Sequence, residues 1–159
     1  MYIIHQTIAP FGGVLSSSMM NLKLHRQKIQ AENSNVPIIL AVEDEIDNLL
    51  LISHVLIFLK FNFITATEGK AALELATKYK IDLVLLDLVL PDTTGFELAS
   101  IFRQNELTHE MPIIAVSALT KQQDRDRALS LGCNDYLTKP YLIEDLQRKI
   151  YQYLPEAKQ

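Results

Sequence analysis

Short, almost wholly apolar runs recur along the chain, and between them apolar residues return at helical spacing. The runs are Ile38-Ile39-Leu40-Ala41-Val42, Phe63-Ile64-Thr65-Ala66, Leu83-Val84-Leu85-Leu86, Pro112-Ile113-Ile114-Ala115-Val116-Ser117 and the shorter Asp135-Tyr136-Leu137-Thr138. Runs of four to six residues, bounded by acids or turn formers, read as strands buried on both faces. The intervening segments place apolar residues on one side of a helix: Leu49, Leu50, Ile52, Val55, Leu56 and Leu59 after Asp47; Ala71, Ala72, Leu73, Leu75 and Ala76 between Gly69 and Lys78; Phe96, Leu98, Ala99, Ile101 and Phe102 between Phe96 and Glu106. A charged helix from Lys121 to Leu131 is stopped by Gly132, and Ile143, Leu146, Ile150 and Leu154 line a last one. Strand and helix alternate five times with no two strands adjacent. That order predicts parallel strands, right-handed crossovers and helices on both faces: an α/β, doubly wound, five-stranded parallel sheet in a three-layer sandwich of flavodoxin-like (βα)5 form.

The pattern sets in at about residue 36 and ends near 154, which predicts a domain over residues 36–154. Residues 1–35 hold Gly12-Gly13, Ser16-Ser17-Ser18 and Asn33-Ser34-Asn35, with Lys23, Arg26 and Lys28 against Glu32. This turn-rich, slightly basic stretch reads as an N-terminal extension, partly flexible, with one short helix near Met20 to Ala31. Residues 155–159 read as a C-terminal tail, too short for an output module.

Composition narrows the class. Of the 159 residues, 48% are hydrophobic and 21% charged, enough apolar side chains for a core of this size. A net charge of −4 argues against a direct nucleic-acid partner. A lone cysteine, Cys133, excludes an internal disulfide framework and fits a reducing compartment. With no apolar stretch of spanning length and no signal-peptide pattern, the expectation is a cytoplasmic protein without membrane insertion.

The candidate chemistry lies at the strand ends. In a parallel sheet every strand's carboxyl end reaches one edge, where ligands bind. Glu43 and Asp44 follow the first strand, Asp87 the third, Ser117 closes the fourth and Lys139 follows the fifth. Each alone reads as a cap or turn former; together they deliver three carboxylates, a hydroxyl and an ammonium to one rim. Clustered carboxylates repel unless a cation sits among them, and a hard ion with oxygen ligands, Mg²⁺, suits them best. The hydroxyl and ammonium suit an anion beside the metal. The combination describes phosphoryl transfer to a carboxylate.

The same segments carry a family resemblance. Ile39-Leu40-Ala41-Val42-Glu43-Asp44-Glu45, Leu85-Leu86-Asp87-Leu88-Val89-Leu90-Pro91 with Gly95, Val116-Ser117-Ala118 and Tyr136-Leu137-Thr138-Lys139-Pro140 resemble, in order, the signature segments of the response regulator receiver domain of two-component systems, as in the single-domain chemotaxis regulator. The resemblance implies that Asp87 accepts a phosphoryl group from a sensor histidine kinase or a phosphotransfer protein. It implies Mg²⁺ on Asp44, Asp87 and the backbone carbonyl of Val89, with Glu43 acting through water. Lys139 would pair with Asp87 and then with the phosphoryl group; Ser117 would turn inward to it, and Tyr136 would follow from an outward to an inward rotamer. Output would pass to a downstream protein through the helix from Lys121 to Leu131, the fifth strand and the last helix, with a homodimer on the same charged helix as a further arrangement. The resemblance implies a switch and not an enzyme, beyond self-phosphorylation and self-dephosphorylation.

Two positions depart from the usual pattern. Glu43 stands where Asp is more usual, and Val89, two residues after the acceptor, lacks a polar group to orient hydrolytic water, which predicts a long-lived phosphoryl mark. An aspartyl phosphatase would need an acid at that same position and is set aside. A phosphorylation-independent interaction module remains the alternative. His54, on a helix without a bundle around it, is not read as a phosphoryl carrier, and Cys133 reads as a small core residue.

Overall fold

The computed structural model describes residues 36–155, so the expected N-terminal extension and residues 156–159 of the expected tail lie outside them. The strands are β1 (Ile38–Val42), β2 (Asn62–Ala66), β3 (Leu83–Leu86), β4 (Ile113–Ser117) and β5 (Asp135–Thr138). The helices are α1 (Ile46–Phe58), α2 (Gly69–Lys78), α3 (Gly95–Gln104), α4 (Gln122–Ser130) and α5 (Ile143–Tyr153). All strand pairs are parallel, in the order β2-β1-β3-β4-β5. This is the expected flavodoxin-like sandwich.

Alternation of side chains along each strand divides the core into two layers. Leu40, Val42, Val84, Leu86, Ile113 and Ala115 face α2, α3 and α4, packing on Ala72, Ala76, Leu98, Phe102 and Ala128. Ile39, Ala41, Leu83, Leu85, Ile114 and Val116 face α1 and α5, packing on Ile52, Val55, Leu56, Leu146 and Ile150. Both faces are therefore dry, and polar side chains at the strand ends have only the rim to occupy.

Element ends shift where side chains compete for backbone groups. α1 begins one residue before Asp47; its N-cap is Glu45, whose side chain does not cap but accepts from Asn48 Nδ2 at 2.7 Å. α3 stops at Gln104, two residues short of the expected end. There the Thr108 hydroxyl donates to the Phe102 carbonyl at 2.8 Å, and Arg103 gathers the carbonyls of His109, Met111 and Gly132 at 2.7–3.0 Å. α3 starts with a capping box: Thr94 Oγ1 accepts from the Glu97 amide while Glu97 accepts from the Thr94 amide.

Candidate functional site

The rim at the carboxyl ends of β1, β3 and β5 brings three of the expected side chains into direct contact. β1 and β3 are neighbours, and the Asp87 amide donates to the Val42 carbonyl at 2.9 Å, so Glu43 and Asp87 emerge side by side. Lys139, delivered by β5 from across β4, reaches between them. Its Nζ donates to Glu43 Oε2 at 2.5 Å and to Asp87 Oδ2 at 2.6 Å. The Lys139-Pro140 peptide is cis. Glu43 and Asp87 are both buried, and Asp44 beside them is exposed.

One ammonium cannot neutralise two carboxylates. Burial, with the Asp87 charge acting in the same direction, raises the Glu43 carboxyl above its ordinary value despite the Lys139 bond. Burial alone would lower Lys139, but its bonds to Asp87 and Glu43 outweigh that and raise it. The site is thus short of positive charge.

Carboxylate oxygens of Glu43, Asp44 and Asp87 lie within 4.8 Å of one another. An all-oxygen donor set with excess negative charge, one member open to solvent, fits a hard divalent cation such as Mg²⁺. Glu43 is the most constrained of the three. Its Oε1 accepts from the Glu45 amide at 3.2 Å and its Oε2 holds Lys139, which fits a contact through water better than a direct bond.

The turn after β3 orients Asp87. The Val89 amide donates to Asp87 Oδ1 at 2.9 Å, so each carboxylate oxygen has its own donor. Gly95 is required here: a Cβ would stand 2.4 Å from the Asp87 carbonyl oxygen and 2.6 Å from Leu88 Cα. The Val89 side chain is exposed beside the site.

Ser117 closes β4, fully buried, and its Oγ accepts from the Leu119 amide at 3.3 Å. Tyr136 is buried as well, its hydroxyl donating to the Leu119 carbonyl at 2.6 Å. Burial raises its phenol, opposed by a hydrogen bond with Ser117. Ser117, Leu119 and Tyr136 therefore form one bonded group. Leu119 was not singled out by the sequence, because a backbone carbonyl leaves no side-chain signal. Asp92 has the composition of a turn residue, yet its carboxylate accepts from the amides of Gly69 and Lys70, more than twenty residues away.

His54 is exposed on α1, away from any bundle, and Cys133 is buried with its thiol pushed up to about 12 by burial. No helix among the described residues is long and apolar enough to cross a membrane.

Residues 27–151 match the response regulator receiver domain. The polar-differentiation response regulator DivK of Brucella ovis is 30% identical over 119 residues, 75% of this chain and 97% of DivK. A probable cyclic di-GMP phosphodiesterase of Vibrio cholerae is 30% identical over 159 residues, which cover 96% of this chain but only 36% of that protein. Among solved structures, the receiver domain of a sensor histidine kinase of Pseudomonas aeruginosa superposes with a TM-score of 0.71 at 32% identity, covering 76% of this chain and 98% of that one; it holds a magnesium ion in its active-site cleft.

Proposed function

The chain belongs to the response regulator receiver family, and on that premise we propose that it is a phosphorylatable switch whose acceptor is Asp87. The observation that carries this is Lys139, bonded at once to Glu43 and Asp87 beside exposed Asp44. Asp87 attacks the phosphorus of a phosphohistidine on a sensor kinase or phosphotransfer protein; the aspartyl O–P bond forms as the N–P bond breaks, and the imidazole leaves. Bound Mg²⁺ supplies charge neutralisation on the phosphoryl oxygens. Asp44, Asp87 and the Val89 carbonyl would hold it, with Glu43 acting through water. Lys139 screens Asp87 before transfer and pairs with the phosphoryl group after it. The Ser117 hydroxyl donates to a phosphoryl oxygen, giving up the Leu119 amide.

The mark adds about −1.5 to −2 charges at the rim. Tyr136 is already buried, which supports a reading in which the protein samples the inward arrangement and is held there by Ser117 once phosphorylated. The reporting surface is α4, β5 and α5. α4 suits this role: among its residues only Ala128 is buried, and its Asp124-Arg125-Asp126-Arg127 run is available to a downstream protein or to a second copy. We place this signalling in the cytoplasm.

The test is incubation of the full chain with Mg²⁺ and acetyl phosphate, read by intact mass. Gain of one phosphoryl group in the wild type but not in Asp87→Asn is expected. Folded protein that gains none would favour a phosphorylation-independent interaction module instead.

A further inference from the structure

We propose that Asp92 is a positioning residue for Asp87, latching the turn that orients the acceptor onto the start of α2. The proposal rests on Asp87 as the phosphoacceptor and concerns what holds its carboxylate in place.

Asp92 Oδ1 accepts from the Gly69 amide at 2.8 Å, and Oδ2 accepts from the Lys70 amide at 2.9 Å. These are the first two amides of α2, whose own N-cap, Glu68, makes no side-chain capping bond. A helix start leaves amides in need of acceptors, and here a loop over twenty residues away supplies them. Burial would raise the Asp92 carboxyl, but the bonded amides outweigh it and hold it below its ordinary value, so it stays an acceptor at neutral pH. The joint is tight: a Cβ on Gly69 would stand 2.3 Å from Thr93 Cγ2 and 3.5 Å from Asp92 Oδ1.

From this joint the turn leads back to the acceptor through bonded contacts. Thr94 bridges Val89 in an antiparallel pair, the Gly95 amide donates to the Leu88 carbonyl at 3.0 Å, and the Val89 amide donates to Asp87 Oδ1. The bridge and the Thr94 cap are local to the turn and to α3. Asp92 ties the same turn to a separate element packed on the sheet. Without it the turn would pivot on its two ends, carrying the Val89 amide, and with it the direction of Oδ1. Lys139 would then be left to hold the carboxylate by Oδ2 alone.

The experiment compares Asp92→Ala, Asp92→Asn and Gly69→Ala in the full chain. Each is read by Mg²⁺ titration of the unphosphorylated protein followed through backbone amide resonances, and by the rate of phosphorylation with acetyl phosphate. Groups that orient metal ligands are worth roughly tenfold or more in metal affinity. Asp92→Ala is expected to weaken Mg²⁺ by about tenfold, slow phosphorylation and move the Val89 amide resonance. Asp92→Asn keeps one acceptor oxygen but turns an NH2 toward the second amide, and should recover part of this. Gly69→Ala changes no charge but drives into Thr93, and should shift Mg²⁺ affinity and Val89 in the same direction. Should Asp92→Ala fold poorly, the other two variants decide. Unchanged Mg²⁺ affinity and an unmoved Val89 resonance in the folded variants overturn the proposal. So does a loss in Asp92→Asn equal to that in Asp92→Ala with Gly69→Ala silent, which would mark a charge effect alone. A wild type that takes no phosphoryl group would sink the phosphoacceptor reading, while the titration and the Val89 shift would still judge the latch.

Discussion

Replacing Lys139 by Met removes the ammonium from between two buried carboxylates while keeping a side chain of similar length. The Glu43 and Asp87 side chains are 1% and 8% exposed, and both bond Lys139 within 2.6 Å. Deleting one partner of a buried ion pair costs about 3–5 kcal/mol because the charge left behind is uncompensated. Here two such charges remain, so the loss at pH 7 without metal should reach that range. The sign with pH follows from the proton count. Burial already raises the Glu43 carboxyl, and without Lys139 the bond that opposes this rise is gone; the folded protein then binds more protons than the unfolded chain, so stability falls as pH rises above the ordinary glutamate value of 4.5. The variant should therefore recover on moving from pH 7 to pH 5, and Mg²⁺ should stabilise it more than it does the wild type, since the metal replaces the missing charge. Urea unfolding at both pH values, with and without Mg²⁺, measures all three. A variant within about 1 kcal/mol of wild type at pH 7, or a loss indifferent to both pH and metal, would refute the view that Lys139 neutralises this pair.

Gly95→Ala forces a methyl against the Asp87 carbonyl and Leu88 Cα, neither of which can swing aside. Overpacking of this kind costs about 1–3 kcal/mol, a fall in melting temperature of about 4–15 °C for a domain of this size, and an unchanged thermal melt would contradict it. Val89→Asn places a polar group on the exposed side of the acceptor, so its acyl phosphate should decay faster than the wild type's. Decay followed by phosphate release gives the half-life, and equal half-lives would remove Val89 from the account. Cys133 is buried with its thiol pushed up to about 12, so the native protein at pH 8 should resist a thiol reagent that the unfolded chain consumes at once. Rapid labelling of the native protein would show the packing to be looser than described.

Much of the architecture was legible because the central strands β1, β3 and β4 are buried on both faces and so read as nearly uninterrupted apolar runs. β1 and β3 fall on the expected residues for that reason, and β5 and α2 do so from their flanking turn residues and, for α2, its helical spacing. The rim acids, Ser117 and Lys139 were legible because charges at the ends of such runs have nowhere else to go. Strand order was not legible, since alternation fixes parallel pairing but not which strands are neighbours. The Lys139 bond to Glu43 spans 96 positions and depends on the reach of a glutamate side chain, which a pattern of types does not contain. Asp92 carries the composition of a turn, and its second role at the start of α2 exists only once the sheet has brought the β3–α3 turn beside Gly69. Asn105 ends α3 in an extended conformation because the segment after it supplies better partners for the last carbonyls, a contest that helix propensity does not register.

The switch proposed for this rim depends on the carboxylate of Asp87 carrying the phosphoryl group. Borohydride reduces an acyl phosphate to an alcohol, so treating the phosphorylated full chain and sequencing its peptides by mass spectrometry marks the modified residue as homoserine. Homoserine is expected at position 87, dependent on Mg²⁺ and on the phosphoryl donor. Homoserine at another acid, or phosphate that survives reduction on a hydroxyl or a histidine, would contradict it.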